Sequence, residues 1–62
     1  MKLEFDPVAD AAYFEISSTE VEVTKEIEPG IIVDYDKQGH VVGVEVLSVS
    51  KRGTPDTIGK AA

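Results

Sequence analysis

The pattern with the most chemical content in this sequence is a run of oxygen-bearing side chains between positions 34 and 45. Asp34, Asp36 and Gln38 stand at alternate positions, Gly39 follows, and Glu45 ends the run. This spacing matches positions 1, 3, 5, 6 and 12 of a calcium-binding EF-hand loop. An EF-hand also needs flanking helices and an Asp or Asn at its fifth position, whereas the flanks here are β-branched and Gln38 is the fifth residue. Metal (calcium) or small-ligand binding at these residues is therefore the alternative to a simple hairpin turn.

Four other places hold residue types that act in catalysis or binding, and each has a simpler structural explanation. His40 is the only histidine, and no Cys, His or Asp is spaced to orient it. Asp6 and Asp10 are better explained as caps of a short turn than as paired carboxylates. Residues 17–19 lack the glycine elbow of a nucleophile site, and residues 53–60 have the wrong spacing for a phosphate-binding loop. The sequence therefore predicts no catalytic residue, no cofactor and no enzyme.

Acidic residues recur before the predicted hairpin. Glu20, Glu22, Glu26 and Glu28 all stand at even-numbered positions, so on a strand they share one face. Such a strip can bind a basic partner, and it is also typical of the solvated face of an ordinary strand. These four glutamates are the candidate partner surface.

The elements that position these residues are strands. Residues 31–35 and 41–49 are rich in β-branched side chains and flank a polar turn, as in a β-hairpin. A four-residue loop pairs Val33 with Val42 and brings the apolar side chains of both strands to one face. A three-residue loop with a glycine bulge pairs Val33 with Gly43 and mixes the faces. Because a slip of one residue inverts every side chain, we predict the first register.

The turns are marked by residues with special backbone preferences. Asp36 is expected to cap the hairpin turn, and Gly39 to supply a positive φ. Pro29 and Gly30 occupy the two central positions of a predicted type II turn.

Near the N-terminus, Asp6 is suited to cap a helix and Pro7 to begin one, so one short helical turn is expected near residues 7–12. Residues 2–5, 13–17 and 20–28 are strand candidates, because polar and apolar side chains alternate along them. The predicted fold class is mainly β (α+β at most), a small antiparallel sheet of about five short strands.

Size and composition limit how such a sheet is stabilised. The chain has 62 residues and no cysteine, so it is near the lower limit for an independent core and cannot use disulfides. With no long helix to cover the apolar face, we expect a homodimer or larger homo-oligomer. Residues 1–52 are predicted to form the single domain, and residues 53–62 a flexible tail.

The charge is strongly acidic, with twelve Asp and Glu against six Lys and Arg and a net charge of −6. This balance argues against nucleic acid as a partner, since phosphates must be neutralised by basic residues. No stretch has the length and apolar character of a membrane span, and the first residues have no signal-peptide core. We therefore expect a cytoplasmic protein with no membrane partner.

The segments FDPVADAAYF (5–14) and EPGIIVDYDKQGHVVGVEVL (28–47) resemble the DUF2283 family of small bacterial and archaeal proteins. The sequence departs from the family pattern at Phe5, where Tyr is usual, and at Ala12, where Leu is usual. The resemblance implies no known activity. Some family members are encoded beside small basic proteins that resemble toxins, which suggests an antitoxin-like role with a small basic protein as partner. The matching residues expected to have structural roles are Asp6, Pro7, Asp10, Pro29, Gly30, Gly39 and Gly43.

Overall fold

A computed structural model describes residues 1–52 of the chain. It contains five strands and one short helix: β1 (Lys2–Asp6), β2 (Ala11–Glu15), β3 (Val23–Glu28), β4 (Ile31–Tyr35), β5 (Val41–Leu47) and α1 (Val49–Arg52). The strands form one antiparallel sheet in the order β1-β2-β5-β4-β3, so β5 is central and β1 and β3 are the edges. The predicted mainly-β class and antiparallel sheet are confirmed. The tail predicted for residues 53–62 lies outside the described residues.

One face of the sheet is apolar across all five strands. Phe14 of β2 lies opposite Leu3 of β1 and Val44 of β5. Val44 lies opposite Val33 of β4, and Lys25 of β3 completes this row opposite Val33. Paired residues share a face, so these side chains lie side by side. We call this the apolar face; its strand residues are Leu3, Phe5, Ala12, Phe14, Val23, Lys25, Glu28, Ile31, Val33, Tyr35, Val41, Val44 and Val46.

The opposite face carries most of the charged side chains of the strands. Tyr13 lies opposite Glu4 and Glu45, and Thr24 lies opposite Asp34. We call this the polar face; its polar residues are Lys2, Glu4, Asp6, Tyr13, Glu15, Thr24, Glu26, Asp34 and Glu45. It holds six carboxylates and one lysine, and is therefore strongly negative.

The core within one chain is very small. Val33 and Val42, 5% and 3% exposed, are the only buried hydrophobic side chains in residues 1–52. Leu3 is 70% exposed, Phe5 56% and Phe14 41%. A single layer of sheet leaves its apolar face uncovered, whereas a stable domain normally has two packed layers.

The loop between β4 and β5 is shorter than predicted. Asp36 donates its N–H to the His40 carbonyl at 2.9 Å, which encloses three residues. Gly39 has the predicted positive φ, 87°, and donates its N–H to the Asp36 carbonyl at 3.0 Å. The predicted four-residue loop is therefore wrong: the hairpin has the glycine-bulge loop, and Tyr35 pairs with Val41.

A second bulge, at Val42, restores the faces that the glycine bulge alone would mix. Val33 pairs with Val44, and Val42 has no partner on β4. The Val42 carbonyl instead accepts N–H groups from Ile16 and Ser17, at 2.8 and 3.1 Å. The extra residue shifts β5 by one position, so Val44 and Val46 stay on the predicted apolar face. The predicted pairing of Val33 with Val42 is wrong, and Val41, predicted on the opposite face, lies opposite Tyr35.

The helical turn expected near residues 7–12 is not helical. Residues 7–10 form a turn that joins β1 to β2, and Ala11 and Ala12 already belong to β2. Strand pairing of Ala12 with Phe5 and Val46 outweighs the helical preference of alanine here. The short helix lies instead at α1.

Candidate functional site

The polar face is crossed by a hydrogen-bonded bridge centred on Asp34. The Tyr13 hydroxyl donates to Asp34 Oδ2 at 3.0 Å, and the Thr24 hydroxyl donates to Asp34 Oδ1 at 2.7 Å. Both carboxylate oxygens are therefore engaged. Because these residues lie on β2, β4 and β3, the bridge spans four neighbouring strands, with β5 crossed in between.

Gly43 makes this crossing possible. It lies on β5 between Tyr13 and Asp34, and the tyrosine ring passes directly over it. A Cβ at this position would lie 2.5 Å from Tyr13 Cζ and closer still to the hydroxyl oxygen. Only glycine leaves room for the ring. Neither Tyr13 nor Thr24 is among the predicted site residues; the available signal is a glycine in the middle of a valine-rich strand, which often marks a close approach.

The phenol of Tyr13 is surrounded by carboxylates. Its partial burial, its hydrogen bond to Asp34 and the negative charges of Asp34, Glu15 and Glu45 all raise its pKa above the usual 10.0. Burial and the negative charges of the neighbouring carboxylates both disfavour the negatively charged phenolate. Tyr13 therefore remains a neutral hydrogen-bond donor at physiological pH, which suits a structural role better than that of a base.

The predicted calcium-loop residues are divided among separate structural tasks. Asp36 Oδ1 accepts the N–H groups of Gln38 and His40, both at 2.9 Å, which caps the hairpin loop as predicted. Asp34 is bound within the bridge, and Glu45 lies on the polar face opposite Tyr13. Among residues 1–52, no group of three or more His, Cys, Asp or Glu side chains is placed to hold a metal ion.

Asp10 connects the β1–β2 turn to α1, a contact between residues 40 positions apart. Its carboxylate accepts the Ser50 N–H at 3.0 Å and the Ser50 hydroxyl at 2.8 Å, and its carbonyl accepts the Val49 N–H at 3.0 Å. Asp10 also has a positive φ of 55°. The capping role expected for Asp10 within its own turn is wrong: it caps the distant helix.

Asp6, by contrast, caps its own turn as predicted. Asp6 Oδ1 accepts the N–H groups of Val8 and Ala9 at 3.0 and 3.2 Å. Pro7, which has no N–H to donate, lies between Asp6 and these two donor residues. The carboxylate therefore satisfies the local backbone, as a short polar side chain does at turns.

Arg52, the last residue of α1, holds the Pro29–Gly30 turn. Gly30 has the positive φ, 79°, of a type II turn. Arg52 donates its Nε–H to the Leu47 carbonyl at 2.7 Å and an Nη2–H to the Pro29 carbonyl. Its guanidinium lies where a Cβ of residue 30 would be. The helix thus joins both turns that flank the end of β5.

The four glutamates of the predicted partner surface do not form one strip. Glu20 and Glu22 precede β3, whereas a bulge at the end of β3 separates Glu26 from Glu28. Glu26 lies opposite Ile32, on the polar face, and accepts the Gly30 N–H at 3.0 Å; Glu28 lies opposite a residue of the apolar face. The sequence pattern assumed a regular strand, and the extra residue in the bulge inverts the alternation.

A shallow cleft lies on the polar face under the β1–β2 turn. Glu4, Asp6, Tyr13 and Glu45 line it, together with Pro7 and its neighbours, and its volume is about 410 Å³. Its polar lining is acidic, and it contains no histidine, serine or lysine that could pair with a carboxylate in acid–base chemistry. The cleft therefore has a negatively charged lining.

Comparison with known proteins identifies the family. A family model described as a protein of unknown function, DUF2283, matches residues 2–50, and the chain belongs to this family. No curated protein and no solved structure matches it. In the part of the chain that the structure describes, no helix is long and apolar enough to cross a membrane.

Proposed function

We propose that this DUF2283 protein is a non-enzymatic interaction module that self-associates through its apolar face, as a homodimer or larger homo-oligomer. The observation that supports this proposal is the exposure of that face. Leu3, Phe5 and Phe14 are between 41% and 70% exposed on adjacent strands, and isolated soluble domains rarely leave such a contiguous apolar area in water.

A second copy of the chain is the occupant that best fits the apolar face. With two buried hydrophobic side chains in residues 1–52, one chain supplies only half of a core, and a second sheet packed face to face supplies the other half. The strongly negative polar faces then point outward and away from each other. The charged residues that the register places on the apolar face, Lys25 and Glu28, lie on the edge strand β3, where they can reach water.

The area of the face approaches that of a specific interface. Five strands about 4.8 Å apart and about five residues long give a footprint of roughly 400 Å². The accessible area of a surface with protruding side chains exceeds its footprint, which brings it toward the roughly 600–1,000 Å² per partner of specific interfaces.

Light scattering on a size-exclusion column, across micromolar concentrations, tests this proposal. The expected mass is at least twice the 6.7 kDa of one chain. Phe14→Gln should reduce the mass and make thermal unfolding less dependent on protein concentration, because it places an amide within the apolar face.

Glu15→Gln is the matched control, since Glu15 is the next residue of β2 and lies on the polar face. It should leave the mass unchanged. A folded wild-type monomer at all concentrations would contradict self-association, as would equal effects of the two substitutions.

A second function, binding of a small basic protein, is favoured by the charge of the polar face. Its six carboxylates face outward in the proposed dimer and attract a basic partner. Salt screens this attraction, so binding should weaken as ionic strength rises. Affinity capture from the native host at low salt should retain a small basic protein that elutes as ionic strength rises. Glu15→Gln combined with Glu45→Gln should weaken capture more than Glu20→Gln with Glu22→Gln, which lie outside the sheet.

A further inference from the structure

The two edge strands of the sheet differ in their protection against pairing with another strand. On β3, a bulge interrupts the register after Glu26, and Lys25 lies in mid-strand. Bulges and lysines are common devices that prevent edge-to-edge association. On β1, all five residues from Lys2 to Asp6 pair regularly with β2, with no bulge and no proline. Its one lysine, Lys2, lies at the first position of the strand and forms an ion pair with Glu4 of the same chain at 3.8 Å. Among residues 1–52, no strand pairs with the outer edge of β1.

We propose that β1 is a strand-addition site whose partner is β1 of a second copy of the chain. The two strands pair antiparallel about a two-fold axis through Glu4, so that two five-stranded sheets become one sheet of ten strands. This contact uses backbone N–H and C=O groups that point away from β2, and it is separate from the proposed packing of apolar faces.

The sequence of β1 is complementary to itself in this register. Lys2 of each copy lies opposite Asp6 of the other, and Leu3 lies opposite Phe5, so each favourable pair occurs twice. Glu4 lies opposite its own copy, which is the one unfavourable pair. A shift of one residue would place Leu3 opposite Asp6 and join an apolar face to a polar face, so the symmetric register is preferred.

Exposure of the β1 side chains supports the same site. Leu3 and Phe5 are 70% and 56% exposed, more than Phe14 on the neighbouring strand at 41%. Strand addition gives each of them a new cross-strand neighbour on the same face. Both apolar faces then lie on the same side of the ten-stranded sheet, so edge pairing and face-to-face packing can coexist.

Cysteine crosslinking tests the register directly, because the native chain has no cysteine. In the full-length Glu4→Cys variant, two thiols face each other across the two-fold axis, within the reach that a disulfide requires. Mild oxidation at micromolar concentration should give a disulfide-linked dimer. Glu26→Cys is the matched control: it is also a glutamate on the polar face of an edge strand, but on the protected edge, and should remain largely monomeric on a denaturing gel.

Two charge-reversal variants, Lys2→Glu and its control Lys37→Glu, test the same register without a disulfide. Lys2→Glu replaces both Lys2–Asp6 attractions with repulsions and should weaken edge association about tenfold. Lys37→Glu makes the same change of charge in the β4–β5 loop and should leave edge association unchanged. Mixing wild type with Glu4→Lys should favour the mixed pair, in which Glu4 lies opposite a lysine.

The outcomes separate this proposal from the proposed function. Phe14→Gln removes the apolar packing, and the edge contact should still crosslink through Glu4→Cys in that background. Failure of Glu4→Cys to crosslink, or equal crosslinking of Glu26→Cys, would overturn the β1 proposal and leave the apolar interface intact. Equal effects of Lys2→Glu and Lys37→Glu would overturn the register. Pairing with a strand of a different protein would also contradict it.

Discussion

Replacement of Gly43 by alanine tests the bridge across the polar face. The new Cβ would lie 2.5 Å from Tyr13 Cζ, far inside van der Waals contact, and both atoms belong to a ring or a strand that cannot bend away easily. Tyr13 must therefore swing off β5. This movement breaks its 3.0 Å hydrogen bond to Asp34 and leaves Thr24 as the remaining side-chain donor in the bridge.

The expected loss of unfolding free energy follows from opposing contributions. A hydrogen bond to a charged group is worth about 1.5–3 kcal/mol when buried, and less here because the site is partly exposed. Overpacking adds about 1 kcal/mol or more. Alanine regains about 0.5–1 kcal/mol, because glycine loses more backbone entropy on folding. The net loss is about 1–2 kcal/mol, or a fall in Tm of roughly 5–15 °C for a domain of this size.

A double-mutant cycle distinguishes the clash from a general effect of alanine. Thermal unfolding is measured at one protein concentration for wild type, Gly43→Ala, Tyr13→Ala and the double variant. In the Tyr13→Ala background, Gly43→Ala should be neutral or stabilising, because no ring lies over residue 43. Tyr13→Phe separates loss of the hydrogen bond from loss of the ring. A Gly43→Ala variant as stable as wild type would refute the bridge.

Three further predictions follow from individual side chains. The pKa of Tyr13 is raised in the folded protein, so the stabilisation that its neutral phenol contributes is complete below pH 10 and is lost as pH rises through the folded pKa. The free energy of unfolding, measured from pH 8 upward, should therefore fall more steeply in the wild type than in Tyr13→Phe. Asp10→Ala should cost about 1 kcal/mol and speed amide exchange of Ser50, whereas Asp10→Asn, which tolerates the positive φ, should have a smaller effect. Millimolar calcium should leave the amide resonances of the loop around Asp36 unchanged in an NMR titration, because that carboxylate already caps the loop.

Much of the sheet is predictable because local pattern and strand geometry agree. Alternation in residues 31–35 and 43–46 specifies which side chains share a face, and that assignment is correct even though the register is not; Val41, which regular alternation places on the opposite face, lies opposite Tyr35. Gly39 and Gly30 have the positive φ that their turns require. Side-chain period and turn chemistry are local properties, so a sequence alone can reveal them.

The errors come from contacts that no local pattern contains. The Val42 carbonyl accepts N–H groups of Ile16 and Ser17, which follow the end of β2 and are distant in sequence. Likewise α1 depends on Asp10, 40 residues away, and on Arg52 reaching the Pro29 carbonyl. A four-residue helix has little stability of its own, so tertiary contacts decide whether it forms.

Four aspartates among the candidate site residues form hydrogen bonds within the fold. Asp6 and Asp36 cap turns, Asp10 holds α1, and Asp34 joins β2 and β3 to β4. Removing one of these carboxylates would leave its backbone or side-chain donors without their present acceptor. The acidic residues that the sequence offers as candidate site residues thus stabilise the fold. The binding surfaces that we propose are instead those that residues 1–52 expose: the apolar face, the outer edge of β1 and the acidic polar face.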